Sequence, residues 1–326
     1  MIEMLEKYHD EMLSCTGCAF CKKSYYAYDF PEKESDYPKG KIMLAYGLYT
    51  GEIEEDMELV REMQKCTLCR RCEKDCPSLI KIADIIKASR FHLKTLLPEH
   101  EMMLKNFREK NNIFGEKNFE REGGKIAFFM GCIVNREMKD IAISLFDKMG
   151  IDATIIGGCC GYPLEKIGRK METDIGKKLK EKGIEKVVLS CPNGMLALRE
   201  YNPLHISQFV LSMNPDLKKG NRRYIYHDSS FLGRYMGIYD EPRKLIDSMG
   251  ILVEFTENRE MARQCGGEIE FRNAFHREAE EMAKYLIKEA KEKDAVLVTS
   301  SPHCYSHLKE YGDVIDLLQL LEENIK

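Results

Sequence analysis

The sequence predicts an all-α unit in residues 1–122, followed by a duplicated α/β domain with largely parallel sheets in residues 123–326. Three features indicate this division. Apolar residues recur at helical spacing up to about position 111. Residues 111–124 then carry three glycines among charged residues, which is typical of a domain boundary. Beyond it, short apolar runs alternate with amphipathic segments, as in parallel strands covered by helices.

The elements follow from this pattern. Predicted helical segments of the first unit are, approximately, residues 1–13, 42–49, 54–64, 79–97 and 98–111. Predicted strands of the α/β domain are residues 125–130, 153–156, 187–189, 224–226, 252–255 and 295–298. Met-Gly-Ile occurs at 149–151 and again at 249–251, each time between a helix and a strand. This self-similarity predicts two repeats, about 123–218 and 219–326.

The most specific motif is C-x₂-C-x₂-C-x₃-C-P, the ligand spacing of bacterial ferredoxins, formed by Cys66, Cys69, Cys72, Cys76 and Pro77. In that pattern three cysteines bind one iron-sulfur cluster and the fourth binds a neighbouring cluster. A second triplet upstream supplies the partner site, so one complete 4Fe-4S ligand set is predicted to be Cys15, Cys18, Cys21 and Cys76. Pro77 is expected to begin a helix whose positive N-terminus points at the cluster.

The other ligand set is one thiolate short. Tyr25 stands where the two-cluster pattern would place a further cysteine, which leaves a set of Cys66, Cys69 and Cys72. We expect either a 3Fe-4S cluster or a 4Fe-4S cluster with an oxygen ligand from Tyr25, Asp29 or water. Cys-x-x-Cys pairs are also typical of zinc sites, but zinc takes four ligands and this region offers seven cysteines.

Cysteines also follow several predicted strands of the α/β domain. Because ligands of open α/β sheets bind at the carboxyl ends of strands, we expect one site formed by Cys132, Cys159, Cys160 and Cys191. Flanking glycines permit the sharp turn that two adjacent thiolates need to serve one cluster. The predicted occupant is a cubane or noncubane iron-sulfur cluster, with zinc on the same thiolates as the alternative.

The second repeat has fewer cysteines. Ser230, Gln264 and Ser301 stand where the first repeat has cysteine, whereas Cys265 and Cys304 remain. One of the two remaining cysteines is predicted to complete the first-repeat site, or both line an adjacent substrate pocket. The nearby histidines are interpreted as packed or hydrogen-bonding residues, with metal binding as the alternative for His303 and His307 and proton transfer for His227.

Composition and missing motifs argue against several classes of function. The net charge of -4, with basic and acidic residues interspersed, does not favour nucleic-acid binding. There is no apolar run of 18 residues and no signal peptide, so a cytoplasmic protein whose thirteen cysteines bind metal is expected. No dinucleotide or P-loop motif occurs, so we expect no flavin in this chain and an organic redox cofactor on a partner subunit.

Together these residues resemble the CCG-domain iron-sulfur proteins, which include heterodisulfide reductase subunits and the iron-sulfur subunits of glycolate and lactate oxidases. The resemblance implies an α-helical ferredoxin module followed by two CCG repeats, each with a lone Cys, a Cys-Cys-Gly and a Cys-x-x-Cys. Gly194 stands at the last cysteine position of the first repeat. The second repeat matches at His227, Asp228, Leu232, Gly233, Arg234, Cys265, Gly266, Gly267 and Cys304.

The resemblance implies an iron-sulfur electron-transfer subunit of an oxidoreductase complex. Its partner would be a flavin-containing subunit or another iron-sulfur protein. One alternative is a catalytic subunit that reduces a disulfide at the CCG site, as the heterodisulfide reductases do. Another is a cluster assembly or scaffold protein. Fold analogy alone does not separate these alternatives.

Overall fold

The computed structural model describes residues 2–24 and 33–326, and its N-terminal unit is helical. The helices are α1 (Ile2–Glu6), α2 (His9–Leu13), α3 (Pro38–Thr50), α4 (Met57–Gln64), α5 (Arg71–Lys74), α6 (Ile82–His92) and α7 (Pro98–Lys110), with short 3₁₀ turns at Phe20–Ser24 and Glu34–Asp36. Local sequence explains several of their starts. Proline occupies the first turn of α3 and α7, and the Asp56 carboxylate caps α4 by accepting from Leu59 N at 2.7 Å.

Helix α6 corrects one prediction. It begins at Ile82, so Pro77 is not its first residue, because Leu79 takes a left-handed conformation (φ 54°) that interrupts helical structure. The Glu73 carboxylate accepts from Ala83 N at 2.8 Å and thereby satisfies the N-terminus that was expected to face the cluster. The helix also ends before residue 97, since Glu55 binds the backbone N–H groups of Lys94 and Thr95.

Two sheets form the α/β region. The strands are β1 (Glu120–Arg121), β2 (Ile126–Phe129), β3 (Ala153–Ile156), β4 (Lys186–Leu189), β5 (Leu204–His205), β6 (Arg223–His227), β7 (Ile251–Glu254), β8 (Val296–Thr299) and β9 (Val314–Asp316). Within the described chain their orders are β1-β3-β2-β4-β5 and β7-β6-β8-β9. All neighbouring strands are parallel except β1 against β3. The order β3-β2-β4-β5 recurs as β7-β6-β8-β9, as the duplication predicts.

All six predicted strands are present, and the predicted fold class is confirmed. The short strands β1, β5 and β9 were missed, because two or three residues are too few for a periodic pattern.

Twelve helices accompany these strands in the described α/β region. They are α8 (Gly131–Glu137), α9 (Lys139–Lys148), α10 (Tyr162–Lys166), α11 (Ile175–Glu181), α12 (Pro192–Ala197), α13 (Ile206–Ser212), α14 (Ser230–Met236), α15 (Asp240–Met249), α16 (Ile269–Ala274), α17 (His276–Glu292), α18 (Pro302–Leu308) and α19 (Leu317–Asn324). Short 3₁₀ turns lie at Arg199–Tyr201 and Arg259–Met261.

Buried side chains join the units. One apolar cluster packs Phe128 and Phe146 of the first repeat against Tyr226 and Leu318 of the second. Another continues from the N-terminal helices into α10 and α14. No helix in the described part of the chain has both the length and the apolar composition to cross a membrane.

His205 links the carboxyl ends of the two sheets. Its Nε2–H donates to the carbonyls of Ser190 (3.2 Å) and Ser300 (3.0 Å), which follow β4 and β8. Its Nδ1 accepts from Ser207 N at 3.2 Å and lies 2.7 Å from the Ser207 hydroxyl. Burial lowers the pKa of His205 to about 4 from its ordinary 6.5.

This histidine makes stability depend on pH. Because the folded pKa is depressed, its contribution is fully present above pH 6.5 and is lost as the pH falls towards 4. At pH 5 the expected loss is about 2 kcal/mol of unfolding free energy. Urea unfolding at pH 7.5 and pH 5 should show that wild type loses about this much more than His205→Gln does. Equal losses in the two proteins would contradict this assignment.

Candidate metal centres

The two cysteine triplets of the N-terminal unit fold into similar loops. Gly17 and Leu68 each follow the first cysteine by two residues, and both have positive φ (69° and 57°). Ala19 and Arg70 each follow the second cysteine, again with positive φ (64° and 61°). Side chains other than glycine rarely adopt this conformation, and it persists where surroundings or function demand it. The repeated backbone strain is consistent with two loops that enclose the same kind of bound group.

The thiols of each predicted set share a cavity. One cavity is lined by Cys15, Cys18, Cys21 and Cys76, the predicted complete set. A second is lined by Cys66, Cys69 and Cys72. Each of these cysteines is a free thiol. The donor sets therefore fit iron-sulfur clusters, whose ligands are cysteine thiolates. Tyr25 and Asp29, the predicted oxygen ligands, lie outside the described residues.

Cationic and N–H groups surround Cys66. Burial raises the pKa of its thiol, whereas Arg90 opposes this shift most strongly. Arg90 is itself buried and donates to the Cys66 carbonyl at 2.6 Å, and the N–H of Leu68 points at the Cys66 sulfur from 3.4 Å. Lys41 is buried in the wall of the same cavity. Positive charge and N–H donors stabilise thiolates and anionic clusters.

The first-repeat thiols meet at the carboxyl edge of the first sheet. Cys132 follows β2, the Cys159-Cys160 pair follows β3, and Cys191 follows β4. The Cys159 thiol interacts with both Cys132 and Cys160, and Cys191 lies close enough to Cys160 for its charge to act there. The structure therefore brings the four predicted ligands together, and their chemistry fits a cluster bound by four thiolates.

Packing explains why glycine stands at the position where the first repeat lacks its last cysteine. Gly194 lies in α12, and a Cβ atom there would be 2.7 Å from Leu189 Cδ2 and 3.5 Å from Phe129. Real Cβ atoms essentially never come so close, and a sulfur atom would extend the clash. Buried apolar side chains therefore occupy the space next to this position.

The second repeat brings together a different donor set. A ring nitrogen of His227 and the sulfur atoms of Cys265 and Cys304 lie within 4.8 Å of one another, and all three residues are buried. Cys265 lowers the pKa of the Cys304 thiol well below its usual range by hydrogen bonding. The sequence interpretation treated His227 as a hydrogen-bonding residue or proton shuttle and not as a ligand beside these cysteines. Its position at the end of β6 was the available signal.

A buried ionic network lies near thiols of both repeats. Lys166 contacts Glu268, and its Nζ lies 2.6 Å from Glu270 Oε1. Glu268 also accepts from Asn193 Nδ2 at 2.8 Å. Burial alone would raise the pKa of Glu268, but Lys166 holds it below its ordinary value. Sequence reasoning missed this network, because its members lie on three separate elements.

Several contacts attach the second triplet loop to the α/β domain. Tyr235 OH donates to the Leu68 carbonyl at 2.7 Å, and Arg234 donates to the Cys69 carbonyl. Arg90 bridges the two units by donating to the carbonyls of Cys66 and Lys166. These bonds hold the loop against α10 and α14.

Two parts of the chain match described protein families. Residues 11–80 match the "4Fe-4S dicluster domain", and residues 224–309 match the "Cysteine-rich domain" called CCG. The chain combines a 4Fe-4S dicluster domain with a CCG cysteine-rich domain. The predicted resemblance is thereby confirmed. The dicluster domain contains both cysteine triplets, and the CCG match contains His227, Cys265 and Cys304.

The chain is similar to named components of redox enzymes. It is 22% identical to a subunit of the dihydromethanophenazine:CoB–CoM heterodisulfide reductase of Methanosarcina mazei, covering 97% of this chain and 93% of that protein. It is 27% identical to a subunit of the fumarate reductase (CoM/CoB) of Methanothermobacter marburgensis, covering 79% of this chain but only 60% of that relative.

One solved structure shows the same fold. A hypothetical protein from Helicobacter pylori superposes with a TM-score of 0.59 at 10% sequence identity. The superposition covers 98% of this chain and 76% of the other. This likeness concerns the fold alone, and it carries no information about the reaction.

Proposed function

We propose that this protein is an electron-transfer subunit of an oxidoreductase complex. It would relay electrons between a partner redox subunit and the first-repeat thiol site, called the CCG site below, which consists of Cys132, Cys159, Cys160 and Cys191. The observation that carries the proposal is a single apolar cluster against which thiols of both regions pack. Cys21 is a buried member of it, and the partly buried thiols packed against it are Cys15, Cys66, Cys72, Cys76 and Cys160. Proposed ligands of the dicluster domain and one proposed ligand of the CCG site thus adjoin one continuous apolar core.

Particular side chains form the path between the two regions. Tyr162 follows the Cys159-Cys160 turn, and its ring meets Phe231 edge to face, with centroids 6.1 Å apart. Phe231 in turn contacts Tyr235, whose hydroxyl binds the Leu68 carbonyl. Tyr162 and Phe231 are buried, so this contact between the two regions is largely shielded from water. When bound, the iron-sulfur clusters would supply one-electron steps.

The ligand assignments belong to this proposal. Cys15, Cys18, Cys21 and Cys76 would hold a 4Fe-4S cluster. Cys66, Cys69 and Cys72 would hold a second one, of the 3Fe-4S type or with a ligand other than cysteine. The CCG site would be held by Cys132, Cys159, Cys160 and Cys191.

Exposed apolar side chains surround the first cluster site. Cys18 is exposed, and so are Leu13, Phe20 and Leu79, each within three residues of a proposed ligand. Exposed apolar side chains close together are typical of protein–protein contacts. We infer that the partner subunit delivers or accepts electrons here, and that it carries the flavin or other organic redox cofactor for which this chain has no motif.

The isolated chain tests the proposal. Purified anaerobically without partners, it should contain iron and sulfide but no stoichiometric flavin. After reduction with dithionite it should return electrons to a one-electron acceptor, because its cluster ligands form a relay. It should not sustain reduction of a disulfide. Sustained disulfide turnover by the isolated chain would contradict the proposal and favour the catalytic alternative, as would stoichiometric bound flavin.

A further inference from the structure

The second repeat contains a compact group of donors that the relay does not use. His227 lies at the carboxyl end of β6, Cys265 follows β7, and Cys304 lies in α18 after β8. Three neighbouring strands therefore each contribute one donor at the same edge of the second sheet. All three residues are at most 2% exposed, and their donor atoms lie within 4.8 Å of one another.

This spacing suits a single metal ion. A tetrahedral zinc ion holds sulfur ligands at about 2.3 Å and nitrogen ligands at about 2.0 Å, so its donors are separated by roughly 3.5–4 Å. Donors in an iron-sulfur cluster are carried by different iron atoms and lie further apart. Within the described chain, no other group of three or more histidine, cysteine or carboxylate residues has its donor atoms packed this closely.

A polar atom in this region also lacks a partner. His227 Nε2 is buried without a hydrogen bond of good geometry in the part of the chain that the structure describes, and the His227 imidazole interacts with the Cys304 thiol. A buried imidazole nitrogen without a partner costs free energy, and such groups usually satisfy themselves with a ligand, an ion or water. The Cys265 thiol of the group also has the hydrogen-bonding environment of a metal ligand. The N–H of Gly267 points at the Cys265 sulfur from 3.4 Å.

The surroundings do not support a cluster at this place. A cluster of the first-repeat kind would use thiolates at positions 230, 264 and 301, and these are Ser230, Gln264 and Ser301. Ser230 and Gln264 are instead bonded to each other, with 3.2 Å between Ser230 Oγ and Gln264 Oε1. The buried Lys166–Glu268 pair lies near both groups, because the Glu268 charge acts on Cys304 and on Cys191 of the first repeat. Two thiols and one imidazole are what remains.

We propose that His227, Cys265 and Cys304 bind one zinc ion, separate from the iron-sulfur ligands of the first repeat. Mixed sulfur and nitrogen donors at this spacing suit zinc. Three protein donors leave the fourth position of the ion for a water molecule. The duplicated CCG domain would then hold two different centres, one at each sheet edge.

The test measures metal content in the full chain. Protein matured anaerobically and exposed to Zn²⁺ alone, then freed of excess metal, should retain about one zinc ion per chain. His227→Gln and Cys265→Ser should each retain several-fold less zinc, whereas their iron content and cluster EPR should match wild type. Unchanged cluster signals show that the variants have folded. Replacing zinc by Co²⁺ in wild type should produce thiolate-to-cobalt absorption that His227→Gln weakens.

His307→Gln is the matched control. His307 is a second buried histidine, lies in α18 beside Cys304 and bonds the Ala279 carbonyl at 2.9 Å, so its replacement should leave the zinc content unchanged. Three results would overturn the proposal. They are equal zinc in wild type and His227→Gln, loss of about four iron atoms in Cys265→Ser, and a Cys265–Cys304 disulfide in the zinc-treated protein.

Discussion

Cys160→Ser is expected to lose about four iron atoms per chain, the content of one 4Fe-4S cluster. Cys160 interacts with Cys159, Cys191 lies beside it, and all three belong to the proposed ligand set. Removing one of four thiolates leaves an incomplete set that a neutral hydroxyl does not restore. Iron and sulfide determination on anaerobically matured protein measures the loss, and EPR shows whether the clusters of the dicluster domain persist.

Cys304→Ser provides the comparison, because it removes a thiol of the same domain that is more deeply buried than Cys160. We expect it to keep all of its iron, since Cys304 lies with His227 and Cys265 and not with the first-repeat thiols. Loss of one cluster's iron in both variants would show that the repeats share a site. Wild-type iron content in Cys160→Ser would overturn the assignment of the CCG ligands.

Lys166→Met is expected to lower the free energy of unfolding by about 3–5 kcal/mol, because it leaves buried carboxylates without their counter-ion. The Lys166 side chain is 0% exposed, and the Glu268 and Glu270 side chains are each 4% exposed. Lys166 holds the pKa of Glu268 below its ordinary value against the opposing effect of burial. Without Lys166, one or both carboxyls must take up a proton or remain charged in an apolar environment.

Urea unfolding of the cluster-loaded protein measures this loss. Lys177→Met is the matched control, because Lys177 forms an exposed pair with Glu181 at 3.6 Å, and exposed pairs contribute little to stability. A shift in Lys166→Met no larger than that in Lys177→Met would show that the buried network is not ionised as proposed.

Local patterns in the sequence were sufficient for six of the nine strands in the described chain and for the cysteine motifs. Residues 153–156 were predicted as a strand with the bounds that β3 has, because all four side chains are buried and three of them are apolar. The ligand triplets were equally readable, since the cysteine spacing is set by the geometry of a short loop around one object.

Local patterns failed to predict the start of a helix where a side chain from another segment binds the backbone N–H groups. Proline often begins a helix, but here Leu79 turns left-handed and Glu73 takes the N–H of Ala83, so that α6 starts five residues after Pro77. The domain bounds themselves stay a prediction.

Contacts between distant segments were beyond sequence reasoning. Lys166 and Glu268 are 102 residues apart, and no spacing rule relates them. The group of His227, Cys265 and Cys304 is likewise assembled only when β7, β6 and β8 lie side by side. Parallel strands place their carboxyl ends at one edge, but the sequence does not say which side chains there turn towards one another.

Iron and sulfide analysis joined to EPR of the isolated wild-type chain tests the central claim most directly. Three ligand sets predict roughly eleven to twelve iron atoms and about twelve sulfide ions per chain. A 3Fe-type signal in the oxidised protein would identify the set that consists of Cys66, Cys69 and Cys72 as the incomplete one. Iron for a single cluster, about four atoms per chain, would contradict a relay that extends from the dicluster domain to the CCG site.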